Sequence, residues 1–482
     1  MTALIGLLPC AVVVIAVLAF RLSTLTAAGL ALTTAISIWA GNVLIDSEWA
    51  QLERALVDAL ILQLLVGVVI YGGLMFVEVT RRGGTTSALY ELIGGAGLNQ
   101  TRSIILIAIG FGVMIESLTG YGVSMLVTVP LLLRVVTRAQ AIVLALVGMS
   151  LMPWGALSVS ALLGAQLAGI PASELADQLL TTSAPVAFLL PLLCAAVTRA
   201  NTTADWLFAV VAGITLVIGI ALTSKLIGVE VAGVGGGAAV IALCLLTTHG
   251  GLGVMKAAMS ARAIWAYPLL ILCIVVQKLV LDTQEPWTHA AVLATERVSF
   301  DVLASPALAL AFASALVMVL APSVETPYRD RLFWQVSARA WRALAAVGLF
   351  LLTARVLVEV GAVNALAALL SQLGGVIAGI AVALLGGLGA YVTGSGVTAN
   401  ALFMPSAAET GASLGQLSLF AALQHSGAGH TAMASLPVIA LLTAALPTRE
   451  PSDEQFAVKV GLALSSLWMA LVISSGLVQM NL

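Results

Sequence analysis

Charge is what this chain has least of. Only 9% of its 482 residues are Asp, Glu, Lys or Arg, where a soluble domain carries about 25%. The 20 basic and 22 acidic residues leave a net charge of −2, so no basic face for nucleic acid is implied. Cysteine is scarce as well. Cys10, Cys194, Cys244 and Cys273 all sit in apolar runs without metal-site spacing, and read as small packing residues. His425 and His430 are five apart with no third ligand nearby, which excludes a zinc pattern. No nucleophile elbow, HExxH or paired catalytic carboxylates occur, which argues against a membrane-embedded enzyme. No cofactor and no metal is implied.

Apolar length fills the space left by charge. Hydrophobic residues make up 61% of the chain and the mean hydropathy is +1.12. A membrane span needs roughly 20 apolar residues. Leu25 to Ile45, Ala55 to Val79, Trp206 to Ser224, Val229 to Thr247 and Ile264 to Leu281 are among the runs that approach or exceed this length. Counting by that criterion gives about 12 to 14 spans. Residues 1–482 therefore read as a single integral membrane domain, an all-α polytopic protein embedded in the lipid bilayer. Leu4 to Phe20 lacks a basic start and a small-residue cleavage site, so it reads as the first span rather than a signal peptide.

Two short segments are copies of each other and are made of residues a membrane helix should avoid. They are Thr119-Gly120-Tyr121-Gly122-Val123-Ser124, followed by Pro130, and Thr393-Gly394-Ser395-Gly396-Val397-Thr398, followed by Pro405. Each lies downstream of a second matching pair, Val77-Glu78-Val79 and Val358-Glu359-Val360. Further on, Pro153-Trp154-Gly155 and Gly427-Ala428-Gly429-His430 predict a second interruption in each half. The repeat cores are expected over 56–171 and 340–447. Each would hold a scaffold span, an amphipathic connector (ending at Gly94-Gly95 and Gly374-Gly375), a broken helix or re-entrant hairpin and a second broken helix. The region from Leu180 to Ala321 reads as ordinary spans joined by loops.

Loop charges predict that the copies are inverted. Arg21 and Arg81-Arg82 flank an acidic loop of Asp46, Glu48 and Glu53. The positive-inside rule then puts the N-terminus outside and runs the span ending at Glu78 inward. The span ending at Glu359 follows a basic loop of Arg329, Arg331, Arg339 and Arg342, so it runs outward. Inverted repeats with glycine-broken helices point to a secondary transporter whose site lies at the breaks.

The residue types suit an anion. Glycines let the backbone unwind, and the freed N–H groups and half-helix N-termini attract carboxylates. Thr119, Gly120, Tyr121, Gly122 and Ser124, with Thr393, Gly394, Ser395, Gly396, Thr398 and Asn400, are the candidate substrate-binding residues. Any single Ser or Thr could instead back-bond to a helix carbonyl. Glu116 lies deep in an apolar segment, and an intramembrane ionisable group is a candidate for proton coupling. His425 and His430 are further candidates, as proton relays or anion donors. Glu359 and Arg355, four apart, are expected to form a local salt bridge, and Lys278 with Asp282 an interfacial pair. His249 and His289 read as loop residues.

Phe111 to Gly122, with Glu116-Ser117-Leu118-Thr119-Gly120-Tyr121-Gly122 at its heart, resembles the Glu-Gly-Ala-Ala-Gly-Phe-Gly signature of the L-lactate permease family. Thr393-Gly394-Ser395 through Asn400-Ala401-Leu402-Phe403 resembles that family's Thr-Gly-Ser…Asn-x-Leu-Phe segment. The chain departs from the family pattern at Val123-Ser124-Met125 and at Gln424-His425-Ser426-Gly427. The resemblance implies proton-coupled symport of lactate, glycolate or a related 2-hydroxymonocarboxylate by a multi-pass protein of the plasma membrane, in bacteria the inner membrane. A sodium-coupled carrier of another carboxylate or sulfonate, and a passive anion channel, are the alternatives. A homodimer is left open.

Overall fold

The computed structural model describes residues 5–44, 46–85, 88, 97–120, 122–248, 253, 265–283, 291–320, 329–448 and 450–480. Tyr121, the Gly94-Gly95 pair, His249, His289 and the side chain of Asp282 lie outside the described residues. Helices dominate, because an apolar chain in lipid must satisfy its backbone within each segment. By length and composition, eight of the described helices could cross a membrane. Two pairs bent by 52° and 40° would bring the number to ten, and six further apolar helices have 10–17 residues. The distance from the expected 12 to 14 falls on short or broken helices. In the expected first span, for example, the helix α1 runs over Leu8–Leu18, 11 residues.

The first half continues with α2 (Thr24–Ala40) and the long α3 (Trp49–Arg82). α4 (Gln100–Thr119) starts at Asn99, whose side chain accepts from the Arg102 amide. Its Ile105–Phe111 stretch is a π-helical turn. α5 (Val123–Leu132) and α6 (Arg138–Gly148) follow. A 3₁₀ turn over Met152–Trp154 then leads to α7 (Gly155–Ala168) and α8 (Ala172–Val197). The middle of the chain holds α9 (Thr203–Leu226), α10 (Ala232–Leu246), α11 (Ala266–Thr283) and α12 (Pro306–Leu320). Between α11 and α12 lies a feature the sequence reading missed, an antiparallel hairpin of β1 (Val292–Ala294) and β2 (Ser299–Asp301).

The second half follows. It runs α13 (Arg329–Glu359), α14 (Ala362–Ser371), α15 (Gly375–Thr393), α16 (Gly396–Ser413), α17 (Leu417–Thr431), α18 (Leu436–Ala444) and α19 (Pro451–Met480). The basic stretch from Arg329 to Arg342, expected as a loop, is instead the first part of the 31-residue α13.

The equivalent helices α3 and α13 pack antiparallel. Gln63 donates to the Leu344 carbonyl at 3.1 Å, Tyr71 meets Ser337 at 3.1 Å, and Arg82 donates to Gln335 at 2.6 Å. Glu78 binds Arg81, Arg82 and, across the interface, Arg339 at 3.1 Å. Glu359 binds Arg54 at 2.9 Å and Arg297 of the β-hairpin. The expected local pair of Glu359 with Arg355 is not formed. Arg355 turns inward and meets Asp58 of α3 at 2.7 Å, where both are almost fully buried, while the more accessible arginines take Glu359. Lys278, expected to pair with Asp282, binds Glu230 at 3.0 Å.

α4 is the central helix. Of its most apolar stretch 94% is buried, against 33–56% in the other seven spans, so it faces protein all round while they keep a lipid-facing side. The expected second interruptions are placed unequally. In the first half the break falls at the 3₁₀ turn around Pro153, as expected. In the second half Gly427 and Gly429 lie inside an unbroken α17, and the bend comes at Ser435, after a 3₁₀ turn over Ala432–Ala434. The glycines serve packing there. A Cβ on Gly427 would come within 2.3 Å of the Ala383 carbonyl, and one on Gly429 within 2.5 Å of the Pro153 ring.

Candidate functional site

Both duplicated segments are sharp turns between two helices. The first helix, α4, ends at Thr119, where Gly120 takes φ 68° and Gly122 φ 75°. The second, α15, ends at Thr393, where Gly394 takes φ 74° and Ser395 caps α16 by accepting from the Thr398 amide. Side chains rarely adopt this left-handed region, and glycine enters it freely. The hydroxyls of Thr119 and Thr393 bond back to the carbonyls of Ile115 (2.6 Å) and Gly389 (2.7 Å). They close the helices and are not free donors.

Glu116 sits one turn before the first tip and is fully enclosed by protein. One oxygen accepts from the Gly122 amide at 3.0 Å, and the other from the Ser124 hydroxyl at 2.8 Å and amide at 3.4 Å. The carboxylate thus caps α5, where the helix dipole favours negative charge. A sequence scan marks Glu116 as an isolated buried charge, whereas the fold hands it three donors.

The tips are brought together. Glu116, Gly120, Gly394, Ser395 and Gly396 line one narrow cavity of about 30 Å³, closed on another side by Ala156 and Ser160 of α7. The second tip also borders a wider cavity of about 600 Å³ shared with Thr398, Pro437, Ser23 of the turn before α2, and Arg342 of α13. Gly394 and Ser395 therefore belong to the walls of both. Arg342 stacks on Trp341 with its guanidinium 5.4 Å from the ring centre.

Asn400 and His425 are bonded to each other. The Asn400 amide nitrogen lies 2.8 Å from His425 Nδ1 and 2.6 Å from the Ser160 carbonyl, and His425 Nε2 lies 3.2 Å from the Pro153 carbonyl. A carbonyl only accepts, so Nε2 carries the proton and Nδ1 accepts from Asn400. This ties the second half (α16 and α17) to the first at its second break. His430 stands apart from both cavities, in a network that the sequence reading missed. Its Nδ1 donates to the Ser150 carbonyl at 2.6 Å and its Nε2 meets Ser183 at 2.8 Å. Ser183 continues to Ser426 at 3.1 Å and on to Thr182 at 2.6 Å, while Trp468 donates to Ser150 at 3.0 Å. Nothing in the spacing of these hydroxyls along the chain marks them as neighbours.

Ala156, Leu157 and Ser158 were also missed. All three take φ between 51° and 53° at the start of α7, a conformation that costs roughly 1–2 kcal/mol per L-residue. Ser158 is anchored by donating to the Val229 carbonyl at 2.6 Å. Ala156 lies against the first tip, where a Cβ on Gly120 would fall 2.5 Å from its methyl. Only glycine fits at that contact.

A family model described as L-lactate permease matches residues 2–250 and 238–474, nearly the whole chain. The chain belongs to the L-lactate permease family. The resemblance carried by the two broken segments is thereby borne out. This permease is a multi-pass helical membrane protein and a transporter rather than an enzyme. No curated protein is similar enough to the chain to count as a relative.

Proposed function

We propose that the protein is a proton-coupled symporter of a small 2-hydroxymonocarboxylate such as lactate or glycolate. The observation that carries this reading is the meeting of two helix tips around a buried carboxylate. Backbone donors and helix N-termini can hold a small anion weakly enough for release, and Glu116 can exchange a proton beside it. The repeat cores, 56–171 and 340–447, are the two inverted units, with α3 and α13 as scaffold. Loop charges support an N-terminus on the outer side of a plasma membrane.

A sodium-coupled carrier of another carboxylate is the second reading, favoured by Asn400 Oδ1 and Gln424 Oε1. Both are buried amide oxygens without a hydrogen-bond partner among the described residues, and hard cations take oxygen ligands.

The test is uptake of radiolabelled lactate and glycolate into liposomes containing the purified protein. Accumulation driven by an imposed pH gradient, unchanged when sodium is replaced at fixed pH, is the expected result. Accumulation that needs sodium would move the assignment to the second reading. A linear, non-saturating flux would make the protein a channel.

A further inference from the structure

Glu116 and Ala390 are equivalent by contact. Each carbonyl accepts from the amide of the tip glycine four residues on, Gly120 at 2.7 Å and Gly394 at 2.8 Å. Each tip glycine then faces the residue at its own half's second break, Ala156 in the first half and Ser435 in the second. The polar groups are exchanged between the halves. The first tip has a carboxylate on the helix and a methyl at the break. The second has a methyl on the helix and a hydroxyl at the break.

We propose that the second tip is the docking point for the substrate carboxylate, held by the N-terminal ends of α16 and α18 and by the Ser435 hydroxyl. Four observations carry this. At the first tip, the start of α5 already holds a carboxylate, that of Glu116, on the Gly122 amide and the Ser124 amide and hydroxyl. That position is filled by the protein itself. At the second tip, among the described residues, no side-chain carboxylate bonds to the start of α16, which the Ser395 hydroxyl caps. Ser435 is fully buried, precedes the first turn of α18, makes no capping bond of its own, and its Oγ has no hydrogen-bond partner among the described residues. Its Oγ lies 3.2 Å from the point a Cβ on Gly394 would occupy, as does the Pro437 ring.

A buried hydroxyl without a partner is costly, and one aimed at a glycine turn between two helix N-termini is a donor waiting for an acceptor. A carboxylate supplies two acceptor oxygens and the negative charge that both helix dipoles favour. The wider cavity gives the approach, because Gly394, Ser395 and Pro437 line it and Arg342 stands in its wall. Arg342 makes no ion pair among the described residues. The two tips thus divide the work, with a resident carboxylate on the first and a travelling one on the second.

This inference rests on the carboxylate-carrier reading above, and the experiment separates the two. Lactate uptake would be measured as a function of concentration for the wild type, Ser435→Ala and Ser435→Cys, each in its full-length, monodisperse form. Cysteine nearly matches serine in size but is a weak donor. The expected result is a rise of about tenfold or more in the half-saturating lactate concentration for both variants, with the maximal rate within about twofold of wild type. An unchanged half-saturation in Ser435→Ala would overturn the docking point. So would a wild-type value in Ser435→Cys beside a raised one in Ser435→Ala, which would reduce Ser435 to packing. A silent wild type with lactate and glycolate would instead bring down the carrier reading itself, and this docking point with it.

Discussion

Glu78 and Glu359 close the C-terminal ends of two equivalent helices, and each is held by an arginine from the other helix. Arg339 of α13 reaches Glu78, and Arg54 of α3 reaches Glu359. The exchange between the two helices is reciprocal. One helical turn inward from the Glu359 cluster lies the buried pair of Asp58 and Arg355 at 2.7 Å, with Asp58 also accepting from Thr295 of the β-hairpin at 2.7 Å.

That pair sets the first prediction. Removing one partner of a buried ion pair leaves an uncompensated charge and costs about 3–5 kcal/mol. Asp58→Asn should therefore lower the thermal unfolding temperature of the detergent-solubilised protein clearly. The double variant Asp58→Leu with Arg355→Met should recover most of the loss. Equal destabilisation in the single and double variants would mean that the charges themselves matter little.

Glu116→Gln keeps the shape of the cap but not its charge. The amide nitrogen would face the Ser124 amide, donor against donor. We expect pH-gradient-driven accumulation of lactate to be lost, with lactate–lactate exchange across the membrane retained within about an order of magnitude. Normal accumulation in a well-inserted Glu116→Gln protein would remove Glu116 from proton coupling.

His425 has both ring nitrogens committed, one accepting and one donating. Its expected role is to fasten α17 and Asn400 to the first half. His425→Ala should lower stability by about 1–3 kcal/mol, because the Asn400 amide and the Pro153 carbonyl lose a partner. The pH dependence of uptake, measured on the fraction that remains folded, should keep its midpoint. A shifted midpoint would return His425 to the proton path.

Gly394→Leu combines two penalties. The side chain must adopt φ 74°, and its Cβ would press on Ser435 and on Pro437, each 3.2 Å away. Uptake should fall at least tenfold while the protein still inserts and runs as a single species on size exclusion. Unchanged uptake would place the site elsewhere.

Composition and repeat structure made the architecture readable. The Thr-Gly-x-Gly copies located both tips, because glycine enters positive φ freely and Gly120, Gly122 and Gly394 use that freedom. Charge placement also indicated the opposed directions of α3 and α13. What stayed hidden was pairing at a distance. Arg355 lies one helical turn from Glu359, and only the packed helices show that it serves Asp58. The left-handed turn at Ala156–Ser158 has no glycine to announce it, since tertiary contacts with the first tip and Val229 impose it. Gly427 and Gly429 misled in the other direction: they permit close helix packing, and the chain bends a few residues later. Ser435 is one serine among many until its neighbours are known.

The wall between the two cavities has a kinetic consequence. It is made by the turn at Gly394 and Ser395, a barrier a single loop deep. Loops move within nanoseconds to microseconds, while whole domains need microseconds to milliseconds. Small ions and water would meet such a barrier many times in the span of one whole-domain motion. A carrier built this way stays tight only if the turn is latched whenever its cargo is absent.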